Sequence, residues 1–251
     1  MMKKIEGEAV HWFILLWVIL PLFIGTYQRN AIWNTSLELW KDCVSKAPQK
    51  ERTHHNLGFV YFQLGEWDDA EKEFEMALQL NPQYALSMYN LGLVSYKKGS
   101  LDKAIQYYKK AIEHDSNFSD SFYNLGIVYY QQGLYRDAIE VYEKLLRVKP
   151  DYENGHNSLG LAYKRLKKWP KAIQCFQDEL EYHPDNVYAH LYLGESYEAT
   201  KRYPMALIHY KKALRDPNFP EAEKIRKAIL SIEAGQKQKI EGIQWKRSNP
   251  I

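Results

Sequence analysis

The sequence predicts an all-α protein: a right-handed α-solenoid of helix–turn–helix repeats behind an N-terminal transmembrane helix. Three observations predict it. Glycine recurs at Gly58, Gly92, Gly126, Gly160 and Gly194, every interval being 34 residues. Alanine follows in step at Ala70, Ala104, Ala138, Ala172 and Ala206. Ahead of both ladders, 9–27 carries no Lys, Arg, Asp or Glu. A fixed period of this length means that each unit cannot bury its own apolar face and must stack on its neighbours. Such stacks present a long surface rather than a catalytic pocket, which turns the functional question toward binding.

Residues 1–8 read as a short N-terminal tail of mixed charge, and 9–27 (AVHWFILLWVILPLFIGTY) are expected to form the transmembrane helix. Its 19 residues fall inside the ~17–25 that cross a bilayer as a helix. A signal peptide is the rival reading. Against it stand an apolar run longer than the usual ~7–15 residues and the lack of a small-residue cleavage site. Trp12 and Tyr27 lie near the two ends, where amphipathic rings favour the membrane interface. Lys3 and Lys4 precede the anchor, and Arg29 is the only early cation after it. This positive-inside bias points the repeats of a single-pass protein to the extracytoplasmic side, periplasm or lumen. Residues 28–50 read as a degenerate half-repeat, because Trp33, Trp40, Cys43 and Pro48 stand 34 residues ahead of Trp67, Phe74, Ala77 and Pro82.

Five repeats fill 51–220, namely 51–84, 85–118, 119–152, 153–186 and 187–220. Each places Leu-Gly on its first helix, Ala twelve residues later, and an aromatic four residues beyond: Phe74, Tyr108, Tyr142, Phe176 and Tyr210. Counted within a repeat these are positions 8, 20 and 24, and a closing proline stands at position 32 in Pro82, Pro150 and Pro184. Ser116 replaces that proline in the second repeat, and in the fifth it is displaced to Pro217. This register resembles the tetratricopeptide repeat (TPR) family. The glycine and alanine are expected to face each other where the two helices cross, since only small side chains let backbones reach the short end of ~8–10 Å. The aromatic is expected to fill the gap toward the next repeat. Gly65, Gly99 and Gly133 supply the left-handed residue that ends a first helix. Lys167 and Lys201 hold that place in repeats four and five, each followed by a proline, Pro170 or Pro204, in the next helix's first turn.

Beyond the repeats, 221–234 carries Ala222, Ile225, Ile229 and Ile232 at helical spacing, the pattern of a capping helix that covers a solenoid's last apolar face. Residues 235–251 lose the period and read as a flexible basic tail. The passage into the repeats, RNAIWNTSLELWKDCVSKAP leading to HHNLG, also resembles the C-terminal part of multi-spanning TPR proteins related to protein O-mannosyltransferases. That resemblance implies repeats facing the lumen or periplasm. It covers only the last membrane span and the repeats, so no catalytic residue carries over.

Function is expected on the first helices, whose positions 2, 5, 6, 9, 12 and 13 line the concave face of TPR arrays. Asn56, Asn90 and Asn124 share position 6, one repeat apart. An amide accepts from a peptide N–H and donates to a peptide C=O, so such a ladder suits an extended backbone of any sequence. Merely solvated amides are the plain alternative. Beside them stand Phe62, Tyr96 and Tyr130 at position 12, and Tyr89 and Tyr123 at position 5. Aromatics with a polar rim are typical of binding surfaces. Repeats four and five change the groove's character with Lys164, Arg165, Glu195 and Glu198. The early repeats lack converging cations, which disfavours a clamp for a chaperone's C-terminal carboxylate.

Other chemistry is thin. His54, His156 and His190 share position 4, but there is no H-E-x-x-H pair or close Cys/His cluster, so no metal is expected. Without a phosphate loop or a nucleophile elbow, neither a cofactor nor enzymatic activity is expected. A net charge of +3 over 251 residues is too small to make nucleic acid a default partner. The sequence therefore reads as a membrane-anchored interaction scaffold that binds protein or peptide in extended form. The alternative, suggested by the second resemblance, is an accessory or split subunit supporting a membrane glycosyltransferase.

Overall fold

Helices dominate because each repeat spaces its apolar residues three and four apart and sets a turn residue between two such runs. The computed structural model describes residues 36–216 and 218–248, with side chains followed to residue 235. The tail at 1–8, the transmembrane helix expected at 9–27 and Pro217 lie outside the described residues. Among those described there are twelve α-helices, and none is long and apolar enough to cross a membrane. The helices fall into two units that meet in sequence at Asp115 and Ser116.

The first unit holds α1 (Ser36–Lys46), α2 (Glu51–Leu64), α3 (Trp67–Leu80), α4 (Ala85–Lys97) and α5 (Leu101–His114). Each packs on the next in chain order. Its core gathers Ala70 and Phe74 of α3 with Leu91 and Val94 of α4, all fully buried. Phe74 thus reaches into the following repeat. The second unit holds α6 (Ser119–Gln131), α7 (Tyr135–Val148), α8 (Gly155–Arg165), α9 (Trp169–Tyr182), α10 (Val187–Ala199), α11 (Tyr203–Ala213) and α12 (Ala222–Ser248). Here too each helix packs on its successor.

One turn design ends every first helix. Gly65, Gly99 and Gly133 adopt φ of 80°, 77° and 77°, while Lys167 and Lys201 adopt 57° and 59°. The amide of Gly99 donates to Tyr96 O at 3.0 Å and that of Ser100 to Ser95 O at 2.8 Å. Lys201 and Arg202 repeat the pair on Glu198 O and Tyr197 O, at 2.9 and 2.8 Å. This is a Schellman motif, which satisfies carbonyls that the helix end would otherwise orphan.

One expectation is refined and one corrected. The alanines are fully buried, and the atoms that crowd the glycines most closely belong to the position-24 ring. A Cβ added to Gly92 or Gly126 would lie 2.5 or 2.4 Å from a ring carbon of Tyr108 or Tyr142. Gly58, Gly160 and Gly194 meet Phe74, Phe176 and Tyr210 in the same way. Long side chains on a helix lean back over the preceding turn, so the position-24 ring covers the alanine one turn earlier and presses on the glycine itself. The correction concerns the C-terminus. No break occurs at Gly235, and α12 continues to Ser248. The Lys, Gln, Glu and Ile residues beyond Gly235 are ordinary helix formers, and an interior glycine costs only about 1 kcal/mol.

Candidate functional site

In the first unit, the expected contact residues divide between packing and exposure. Phe62 meets Trp67 edge to face, with ring centroids 5.1 Å apart, and Tyr89 leans on the buried Tyr108 at 5.9 Å. Tyr96 and Asn56 are half-buried. Asn90 is only 4% exposed, and its Nδ2 lies 3.5 Å from His55 Nε2. That amide faces the junction between repeats, which leaves it little to offer a bound chain. In the second unit, Asn124 is half-buried and donates to Asp120 O at 2.9 Å. Tyr123 packs on Tyr142 and Tyr152, at 6.2 and 4.9 Å.

The most developed site lies in the second unit, where α6, α8, α10 and α12 surround a cavity of about 450 Å3. First-helix positions line most of it. Tyr130 comes from α6, Leu161, Lys164 and Arg165 from α8, and Tyr188, Leu191, Tyr192 and Glu195 from α10. Lys167 and Trp169 follow α8, and Glu221 and Lys224 enter from the start of α12. Glu195 is the electrostatic hub. Lys164 Nζ donates to its Oε2 through a short bond, and Lys224 Nζ donates to Oε1 at 2.6 Å. Burial pushes the Glu195 carboxyl up, but the hydrogen bonds and charges of the two lysines outweigh it and hold it below the usual carboxylate range.

Aromatic faces carry the cations. Lys164 Nζ sits 5.4 Å from the Tyr192 ring centroid. Arg165 donates through Nε to Tyr130 Oη at 2.8 Å, with its guanidinium carbon 5.7 Å from that ring's centroid. Burial, then Glu195 and the neighbouring tyrosines, push the Tyr192 phenol up to about 12. Tyr188 remains 44% exposed. Of the groove residues expected from the sequence, Tyr130, Lys164, Arg165 and Glu195 come together here. Glu198 does not, because it accepts from Tyr210 Oη at 2.5 Å. Sequence reasoning missed Tyr188, Tyr192 and Lys224. The first two occupy groove positions 2 and 6 of the fifth repeat and were legible by the same count; Lys224 was not.

The position-4 histidines are structural. His54 Nε2 and His156 Nε2 each lie 3.0 Å from the carbonyl of a proline six residues earlier, Pro48 and Pro150. His54 Nδ1 also meets Glu73 Oε2 at 2.7 Å. His190 pairs with His209, Nδ1 to Nδ1 at 3.1 Å. Glu179 was equally unforeseen. It stands where other repeats carry Ala77, Ala111 or Ala213, yet it is fully buried. Its carboxylate accepts from the amides of Asn154 and Asn157 at 3.1 Å and from Asn186 Nδ2 at 3.0 Å. These amides open α8, so a carboxylate from α9 caps that helix across the repeat. Among the described residues, no group of three or more His, Cys, Asp or Glu is arranged to hold a metal.

Fold and site define an all-α repeat protein with an interaction surface. Two family models, both described as tetratricopeptide repeat, match the chain, one over residues 49–117 and 83–151 and the other over 157–223, so the chain belongs to the tetratricopeptide repeat family. A protein O-mannosyl-transferase of Caenorhabditis elegans is 38% identical over 64 residues, a match that spans 26% of this chain and 9% of that protein. Among solved structures, the crystal structure of YrrB, "a TPR protein with an unusual peptide-binding site", superposes with a TM-score of 0.64 at 19% identity. That match covers 76% of this chain and 99% of YrrB. The C-terminal part of a TPR repeat-containing protein from Cytophaga hutchinsonii reaches a TM-score of 0.70 at 21% identity, over 85% of this chain and 87% of that one. At these identities the structural likeness shows the fold.

Proposed function

We propose that this chain is a membrane-anchored scaffold that holds extended polypeptide on the first-helix faces of its repeats. Residues 9–27 serve as the single membrane span, the repeats lie on the extracytoplasmic side, and no catalysis takes place. The observation that supports binding most is the cavity in the second unit, where tyrosine faces and charged hydrogen-bonding groups surround about 450 Å3. Extended peptides are held by main-chain hydrogen bonds together with pockets for alternate side chains, and this arrangement offers both kinds of contact. Half-buried Asn56 and Asn124 add amides of the same chemistry.

Binding of capped peptides to the full-length chain in mild detergent tests the reading. Tyr188 is 44% exposed, with its ring also resting on Phe219 at 5.1 Å. Tyr188→Leu, which keeps an apolar contact there, should therefore hold the melting curve while weakening a bound peptide by about tenfold or more, as for an aromatic contact residue. A broad set of extended peptides with no binder would overturn the proposal.

A second reading has its own support in the 64-residue stretch shared with an O-mannosyl-transferase: an accessory or split subunit that presents polypeptide to a membrane glycosyltransferase. Detergent co-purification separates the two. A recurrent multi-spanning transferase favours the accessory role, and assorted polypeptide clients favour the scaffold.

A further inference from the structure

We infer that the cavity bounded by α8, α10 and α12 is a subsite for an acidic side chain of an extended polypeptide, an Asp or Glu flanked by an aromatic residue. The inference rests on the polypeptide-binding reading and names the chemistry of the bound segment. It follows from which charges in the cavity are already spent. Lys164, Arg165, Lys167 and Lys224 face two carboxylates, Glu195 and Glu221. Each oxygen of Glu195 already accepts from a lysine ammonium, so this carboxylate has little left with which to attract a basic ligand. The cationic surplus falls on Arg165 and Lys167.

Arg165 is set up to receive an anion. Its bond to Tyr130 Oη runs through Nε, which orients the planar guanidinium and does not use its terminal nitrogens. Those nitrogens form the fork that matches a carboxylate. Lys167 is exposed and lies two residues further on, in the turn that closes α8, adding a second cation beside the fork. Around them Tyr188 is 44% exposed, its ring resting edge to face on Phe219 at 5.1 Å, and Trp169 forms part of the wall. A neighbouring aromatic side chain on the ligand would cover these surfaces and shield the ion pair from water. At the position equivalent to Arg165 the first unit carries Gln63 and Lys97, neither of which offers a planar guanidinium fork.

The test uses the full-length chain in mild detergent and two labelled peptides with capped ends. One carries a central Asp-Phe-Glu, and the other is its Asn-Phe-Gln isostere. Charge-assisted hydrogen bonds favour the acidic peptide, which should bind about tenfold more tightly at low salt, with the preference shrinking as salt rises. Arg165→Gln should bring the ratio of the two affinities close to one. Lys144→Gln, which removes an exposed cation paired with Glu140, should leave the ratio unchanged. Arg165 is exposed, so the variant's melting curve should match the parent's. Equal affinities for the two peptides would overturn the acidic preference while the scaffold reading stands. A lysine counterpart or an oligonucleotide that bound more tightly would also overturn it. Failure of every peptide to bind would sink the scaffold reading together with this one.

Discussion

At the scale of single residues, the ring at position 24 sets the strictest demand. Tyr142 is 2% exposed and cannot swing away, so a methyl group at Gly126 would press on ring carbons 2.4–2.8 Å distant. Gly126→Ala should cost about 1–3 kcal/mol in urea unfolding, and adding Tyr142→Leu should recover part of the loss. An unchanged midpoint would show that the backbone yields at no cost. His55 makes a prediction about pH. It is buried, and burial lowers its pKa from 6.5 to about 4. The unfolded chain binds the proton near 6.5 and the folded chain only near 4. The stability this neutral ring permits is therefore complete above that window, lost as pH falls through it, and constant below. The difference is on the order of 3 kcal/mol. Unfolding at pH 7 and pH 4.5 should show the drop, and His55→Gln should shrink it. The necessity of a small residue at position 8 was legible from the repeat, but the identity of its neighbour was not. It depends on how far a side chain leans along the second helix.

At the scale of elements, the turn ending each first helix was readable residue by residue, since a glycine recurs where the chain must take positive φ. The same place in repeats four and five is filled by Lys167 and Lys201, which take up the left-handed conformation despite a side-chain cost of about 1–2 kcal/mol. Lys167→Gly and Lys201→Gly should each stabilise the protein by about 1 kcal/mol, read as a higher urea midpoint at unchanged slope. Gly99→Lys should do the reverse: nothing lies within 4 Å of a Cβ there, so backbone conformation alone decides the outcome. If Gly99→Lys left the midpoint in place, the turn would not be the source of strain. The length of α12 was not legible. Loss of the repeat period removes the packing signal, but it does not remove the helix-forming tendency of Lys, Gln and Glu. The histidine–proline contacts were half-visible, as a fixed six-residue spacing in 48/54, 150/156 and 184/190 whose chemistry required coordinates.

For the whole molecule, the decisive question is what attaches it to a membrane. If 9–27 spans a bilayer, the full chain should remain with membranes after an alkaline wash, and a chain lacking residues 1–28 should be released as a soluble helical protein. Appearance of the full chain in the washed soluble fraction would refute the anchor. Protease added to intact spheroplasts should then reach the repeats, and protection there with cleavage only from the cytoplasmic side would reverse the assigned orientation. Whichever side they face, the repeats transmit damage locally, because within each unit every helix packs on its immediate neighbours. Disruption at Gly126 should therefore lower hydrogen-exchange protection in repeat four before repeat five.

The sequence by itself determined the repeat register, the helix pairs, the turn that divides them, and the aromatic and charged character of the first-helix faces. These are local or strictly periodic properties, set by spacings of three, four and 34 residues that a single chain displays. Only the tertiary structure decided that Asn90 is buried against His55, that Glu179 caps α8, and that Lys164 and Lys224 both converge on Glu195 and leave Arg165 its open fork. Each of those contacts joins polar groups from different helices, 22 to 35 residues apart in the chain. Periodicity says that such helices are neighbours; which polar groups meet, and which charge is left over, depends on side-chain reach and direction across the packed interface.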